Sequence, residues 1–166
     1  MTLRPWRTED VPAVVAACQD PEIPRWTLVP APYTDEHGRE FVGRHVREEA
    51  DEVGFAIVDA SNDELLGAIG LGRPREGTGG IGYWVAAGAR GRGVATRAVR
   101  LLCRWAFDEL GLARIEIQAE PENEASWRTA ERAGFTREGL LRSWLELKGR
   151  RRDFYGYSLL PGELDP

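Results

Sequence analysis

The chain is constrained most by a junction near its middle. Gly82-Tyr83-Trp84-Val85 has the composition of a strand, and from about Gly93 to Leu110 the residues Val94, Ala98, Leu101, Leu102, Trp105 and Leu110 recur at near-helical spacing. Between them runs Ala86-Ala87-Gly88-Ala89-Arg90-Gly91-Arg92-Gly93. A strand that turns so quickly into a long helix presents that helix's first backbone N–H groups, which have no partner within the helix, along with about half a unit of positive charge from the helix dipole. Gly91 and Gly93 have no side chain to hold an anion away, while Arg90, Arg92 and the hydroxyl of Thr96 can add donors. A pyrophosphate suits such a site.

Other readings of the loop compete with this one. Gly91-Arg92-Gly93-Val94-Ala95-Thr96 nearly spells the dinucleotide fingerprint, but the third glycine is missing. The stretch also lies mid-chain behind an antiparallel meander, instead of opening a βαβ unit. No G-x-x-x-x-G-K-[ST] segment is present, which removes a phosphate-loop NTPase. The plain alternative is that the glycines only make a tight turn.

Around the junction the sequence predicts a regular order of elements. Leu3 to Trp6 reads as an edge strand, then Thr8 caps a helix that runs to about Gln19 and is stopped by Asp20-Pro21. Glu22 to Tyr33, with Pro24, Pro30, Pro32 and Trp26, reads as a structured loop, and Thr34 caps a second helix carrying Phe41, Val42, His45 and Val46. Val53 to Val58, Leu65 to Leu71 and Ile81 to Val85 read as three strands in a meander, the third preceded by a glycine-rich turn over Gly77 to Gly80. After the long helix, Arg114 to Ala119 alternates as a strand. Asn123 caps a helix ending near Ala133-Gly134, and strands follow around Leu141 to Leu147 and Asp153 to Leu159.

Composition sets limits on function. The 166 residues contain no repeat or low-complexity linker, which predicts one domain, and a chain of this size buries roughly 70% of its unfolded surface. No apolar run approaches the roughly 18 residues of a membrane span, and the first residues have no secretory signal, so a cytoplasmic protein without a membrane partner is expected. A net charge of −5 argues against nucleic acid as a partner. Cys18 and Cys103 fall on apolar helical stripes and read as core. His37 and His45 read as solvated residues of a surface helix, with no metal site. Arg150-Arg151-Arg152 reads as a solvated strand edge at a hairpin.

Arg90-Gly91-Arg92-Gly93-Val94-Ala95 resembles the R/Q-x-x-G-x-G/A signature of the GNAT acyltransferase superfamily. Downstream, Asn123-Glu124-Ala125-Ser126, Ala133-Gly134-Phe135 and Glu138-Gly139 resemble a stretch of the RimJ/RimL-like subgroup, the ribosomal-protein alanine N-acetyltransferases. Asp20-Pro21-Glu22-Ile23, Trp26-Thr27 and Pro32-Tyr33-Thr34 are similar to the same subgroup, so the likeness extends over nearly the whole chain. The resemblance implies one α/β (α+β) domain of GNAT fold over residues 1–166. Its mixed sheet would have about seven strands, splayed between the fourth and fifth, with about four flanking helices.

The resemblance also implies chemistry: a neutral amine attacks the thioester of acetyl-coenzyme A through a tetrahedral oxyanion. The pyrophosphate would lie on Arg90, Gly91, Arg92, Gly93, Val94, Ala95 and Thr96, and the pantetheine arm would pair with backbone groups of Trp84, Val85 and Ala87. An N–H near Val85 would stabilise the oxyanion, Glu116 would take the amine proton, and Ser126, on the helix capped by Asn123, would protonate the departing thiolate. Trp26 and Tyr33 would face the amine acceptor. By count, Leu145 takes the place of a second glutamate of the subgroup, with Glu146 turned outward. Each of these residues also has a plain reading: a cap for Asn123, a first-turn serine for Ser126, an exposed strand position for Glu116, loop packing for Trp26 and Tyr33. An α-amino group, with a pKa of about 7.7 to 8.0, needs less help from a base than a lysine at about 10.4, which favours a protein N-terminus as acceptor. A polyamine or aminoglycoside acetyltransferase and a non-catalytic acyl-coenzyme A binder are the alternatives, and a homodimer is compatible with all three.

Overall fold

The computed structural model describes residues 1–164. In chain order these form strand β1 (Thr2–Arg4), a 3-10 turn (Thr8–Asp10), helices α1 (Val11–Ala17), α2 (Glu22–Trp26) and α3 (Asp35–Val46), and strands β2 (Glu52–Val58), β3 (Leu65–Gly72) and β4 (Thr78–Val85). A second 3-10 turn (Ala87–Ala89) leads to α4 (Val94–Leu110), β5 (Arg114–Ala119), α5 (Glu124–Ala133), β6 (Thr136–Leu147) and β7 (Arg150–Leu159). The seven strands lie in the order β1-β2-β3-β4-β5-β7-β6. β4 and β5 are parallel and pair over Thr78–Arg114, Gly79–Ile115 and Gly80–Glu116, after which β4 runs on to Val85 and β5 to Ala119. β5 with β7, and β7 with β6, are antiparallel. The mixed sheet expected from the resemblance is present, with five helices among the described residues instead of about four.

The described residues pack as two compact units, one of Met1–Gly70 with Tyr83–Val94 and one of Leu71–Gly82 with 95–164. The first is built on a buried cluster that includes Trp6, Val14, Cys18, Ile23, Tyr33, Val42, Ala68 and Trp84. In the second, α4 buries Ala98, Val99, Leu102, Cys103 and Ala106, a stripe set by the helical repeat, and β5 buries Ile115 and Ile117 on one face. Leu101 and Leu110, assigned to that stripe from the sequence, are instead exposed, because Val99 and Cys103 occupy the inward positions.

Several local expectations are corrected. Thr8 does not cap the first helix: the Asp10 carboxylate accepts the Arg7 N–H at 2.8 Å and an ion pair from Arg4 at 2.7 Å, which closes a 3-10 turn before α1 starts. Glu22 to Trp26 is a short helix, because Asp20 Oδ1 accepts the Glu22 N–H at 3.1 Å and Pro24 lies in the first turn, where an N–H has no helical partner to lose. The turn before β4 is Arg75 to Thr78, with Glu76 and Gly77 at φ 51° and 75°, so Gly79 and Gly80 belong to the strand. Gly79 serves packing: a Cβ there would lie 2.8 Å from Leu71 Cδ1 and 3.0 Å from Leu112 Cδ1. His45 is buried, its side chain 6% exposed, with Nδ1 2.9 Å from the Phe41 carbonyl and the ring against Phe41 and Trp6.

Candidate active site

The junction after β4 is built as a tight, glycine-dependent loop. The Ala86 N–H donates to the Leu66 carbonyl at 2.9 Å, ending the pairing of β4, and the Ala89 N–H closes the following turn on the Ala86 carbonyl at 2.9 Å. Gly91 and Gly93 both take left-handed conformations, φ 71° and 70°, which admit glycine without strain, and Val94 then buries as α4 begins. A Cβ at Gly91 would meet no atom within 4 Å, so the space over the loop is open. Open space, backbone of this kind and the N-terminus of a long helix fit a phosphate-type anion.

Arg90 is turned back into the protein. Its Nε donates to the Val85 carbonyl at 3.1 Å and its Nη2 pairs with Asp20 Oδ2 at 2.5 Å, so this guanidinium braces the loop against the end of β4 and the α1–α2 turn. Arg92 is exposed, and Thr96, in the first turn of α4, is half-buried. The end of β4 is fixed from β3 as well: a Cβ at Gly67 would lie 2.3 Å from the Trp84 carbonyl oxygen and 3.1 Å from Val85 Cα, so only glycine allows the two backbones this approach. Trp84 itself is buried with Tyr33 in the core of the first unit. The same unit carries Trp26 at the end of α2, half-buried, its indole N–H 3.2 Å from Glu22 Oε2 and its ring under the Arg25 guanidinium at 4.5 Å. Tyr33 sits deeper, and burial raises its hydroxyl well above the usual tyrosine range.

In the second unit, Asn123 caps α5, its Oδ1 accepting the Ser126 N–H at 3.2 Å, and Ser126 is half-buried in the first turn. Glu116 on β5 is engaged on both oxygens: Arg114 Nε donates to Oε1 at 2.7 Å and Gln118 Nε2 to Oε2 at 3.3 Å. Arg114 also grips Glu138 on β6 with two N–H groups, at 2.9 and 2.5 Å, and the Ser158 hydroxyl donates to Glu138 at 2.8 Å. The Arg114 bonds, and then the Ser158 bond, hold the Glu138 carboxyl down at about 2. Glu120, just after β5, is buried against Arg152 of β7, 2.9 Å away. Arg152 therefore leaves the solvated edge expected for the arginine run, and no sequence signal paired it with Glu120, 32 residues distant. Leu145 and Glu146 are both exposed on β6. Burial raises the thiols of Cys18 and Cys103 to about 12, so neither is ionised near neutral pH.

A model of the acetyltransferase (GNAT) domain matches residues 1–136. The chain belongs to the GNAT acetyltransferases. It is 33% identical over 168 residues to the uncharacterized N-acetyltransferase p20 of Bacillus licheniformis, covering 98% of this chain and 94% of that one. It superposes on Mycobacterium smegmatis RimJ in complex with CoA-disulfide with a TM-score of 0.86 at 25% identity, over 99% of this chain and 83% of RimJ. It has the fold of the Vibrio cholerae spermidine N-acetyltransferase bound to CoA and spermine, with a TM-score of 0.82 at 21% identity, over 98% of this chain and 96% of the other. Acetyl-CoA is the acetyl donor of this family. Among the described residues no helix is long and apolar enough to cross a membrane, and no group of three His, Cys, Asp or Glu side chains is arranged to hold a metal ion.

Proposed function

We propose that this chain, acting as one GNAT domain in the cytoplasm, moves an acetyl group from acetyl-CoA to the α-amino group of a protein or peptide. The observation that carries the reading is the pair of left-handed glycines opening α4, Gly91 and Gly93, in a loop braced by Arg90. Exposed N–H groups there would take the pyrophosphate, with Arg92 and Thr96 as added donors. The outer backbone of Trp84, Val85 and Ala87 would pair with the pantetheine arm, and an N–H near Val85 would receive the oxyanion.

Direct attack by the amine is favoured over an acyl-enzyme, since both cysteines are buried as neutral thiols. The amine adds to the thioester carbonyl, the C–S bond breaks as the tetrahedral adduct collapses, and the Ser126 hydroxyl passes its proton to the departing thiolate while taking one from water in its place. The amine proton leaves to water or to Glu116. Both Glu116 oxygens already accept hydrogen bonds, from Arg114 and Gln118, so the amine proton would have to displace one of these donors to reach it. A base already engaged in this way suits an acceptor that is partly neutral by itself, and an α-amine at about 7.7 to 8.0 meets that condition where a polyamine ammonium at about 10 does not.

The test is a competition of peptides beginning with Ala or Ser against spermidine and an aminoglycoside, each with acetyl-CoA, read by mass spectrometry. Acetylation of the peptide α-amine, with kcat/KM rising through pH about 8 and levelling above it, is expected. Turnover of spermidine alone would transfer the enzyme to small-amine chemistry.

A further inference from the structure

Arg152 stands in a run of three arginines on β7, yet its side chain meets a buried acid. Its Nη1 lies 3.1 and 2.9 Å from the two carboxylate oxygens of Glu120, whose side chain is 7% exposed. From Glu120 the bonding continues toward α5 without a gap. The Glu120 carbonyl accepts the Asn123 N–H at 2.9 Å, and Asn123 Oδ1 accepts the Ser126 N–H at 3.2 Å. Alongside, the Trp127 indole N–H donates to the Pro121 carbonyl at 3.2 Å. Arg152 is thus the one long-range charged anchor among these bonds, which otherwise join neighbours in the chain.

We propose that Arg152 is a positioning residue for acetyl transfer: through Glu120 it fixes the β5–α5 turn, and through the turn it fixes Ser126. The proposal rests on the reading of Ser126 as the proton donor to the thiolate. A buried carboxylate stripped of its counter-charge must take up a proton or move toward water. Either response frees the turn that Glu120 holds, and a misplacement on the order of 1 Å in a reacting group is enough to slow transfer greatly. Nη1 alone meets both oxygens, so a lysine at this position keeps the charge, while its shorter stem and rotatable ammonium place that charge less firmly.

A double-mutant cycle on the full chain separates positioning from simple support of the fold. The four forms are wild type, Arg152→Gln, Ser126→Ala and the double variant, each checked for folding and assayed at saturating acceptor with the chemical step rate-limiting. Ser126→Ala alone should lower kcat roughly a hundredfold. Arg152→Gln should lower kcat about tenfold, leave KM for acetyl-CoA within about twofold, and cause no further loss once Ser126 is gone. Arg152→Lys, which keeps the buried carboxylate paired and the chain folded, should give a loss of about threefold that likewise vanishes in the Ser126→Ala background. Equal losses from Arg152→Gln or Arg152→Lys in both backgrounds, with the Ser126→Ala effect intact, overturn the positioning role alone. A wild-type kcat for Ser126→Ala overturns the acid reading and this proposal with it.

Discussion

Arg114 binds Glu116 two residues along its own strand and Glu138 across on β6, and together with Ser158 it holds the Glu138 carboxyl down. The Glu138 pKa, held at about 2 against an ordinary 4.5, is depressed in the folded state. A depressed carboxyl contributes stability that is fully present above about pH 4.5 and is lost as pH falls toward 2. Its side chain is 49% exposed, so screening holds that contribution to at most about 1 kcal/mol. Stability measured by urea unfolding should fall between pH 4.5 and 2 less steeply in Glu138→Gln than in the wild type; identical slopes would show that the Arg114 bonds do not carry the effect. At this scale the sequence was only partly legible. Asn123 announces its cap, because a cap depends on residues three apart, whereas the partners of Glu116, Glu120 and Arg152 are set by strand pairing over long separations.

β4 is the element on which the site is assembled, and its end is shaped by a glycine on the strand beside it. Gly67→Ala would force a Cβ against the Trp84 carbonyl, 2.3 Å away, and backbone has no rotamer by which to yield. Overpacking of this kind costs about 1–3 kcal/mol, or a fall in Tm of roughly 3–10 °C for a chain of this size. The displaced backbone is that proposed to pair with pantetheine, so acetyl-CoA affinity should drop at least about tenfold as well. Gly82→Ala, in the same strand with nothing within 4 Å of its new Cβ, should leave both Tm and affinity close to wild type. Parallel losses in the two variants would remove the special role of Gly67. The strands and long helices were legible from periodicity and caps. Gly79 and Gly80 misled, because a glycine kept for close packing looks in sequence like one kept for a turn, and α2 was hidden by prolines that a helix tolerates in its first turn.

For the molecule as a whole, the order of motifs was more informative than any single one. The glycine loop alone admitted a nucleotide reading; the loop followed by Asn123–Ser126 and Gly134-Phe135, behind a meander, pointed to one family, and the strand order and parallel β4–β5 pair agree with it. What no pattern in the chain specified is the acceptor, since that depends on side chains whose neighbours come from distant segments, as buried Tyr33 and half-exposed Trp26 illustrate. The central claim is that the loop opening α4 binds the phosphates of acetyl-CoA. It is tested most directly by calorimetric titration of acetyl-CoA into the wild type and into Gly93→Glu, with NAD as control. At φ 70°, Gly93 can take a glutamate only with strain, and the new carboxylate would stand at the anion site. Micromolar binding of acetyl-CoA to the wild type, none to Gly93→Glu and none of NAD to either is the expected result; micromolar binding retained by a folded Gly93→Glu would contradict the account.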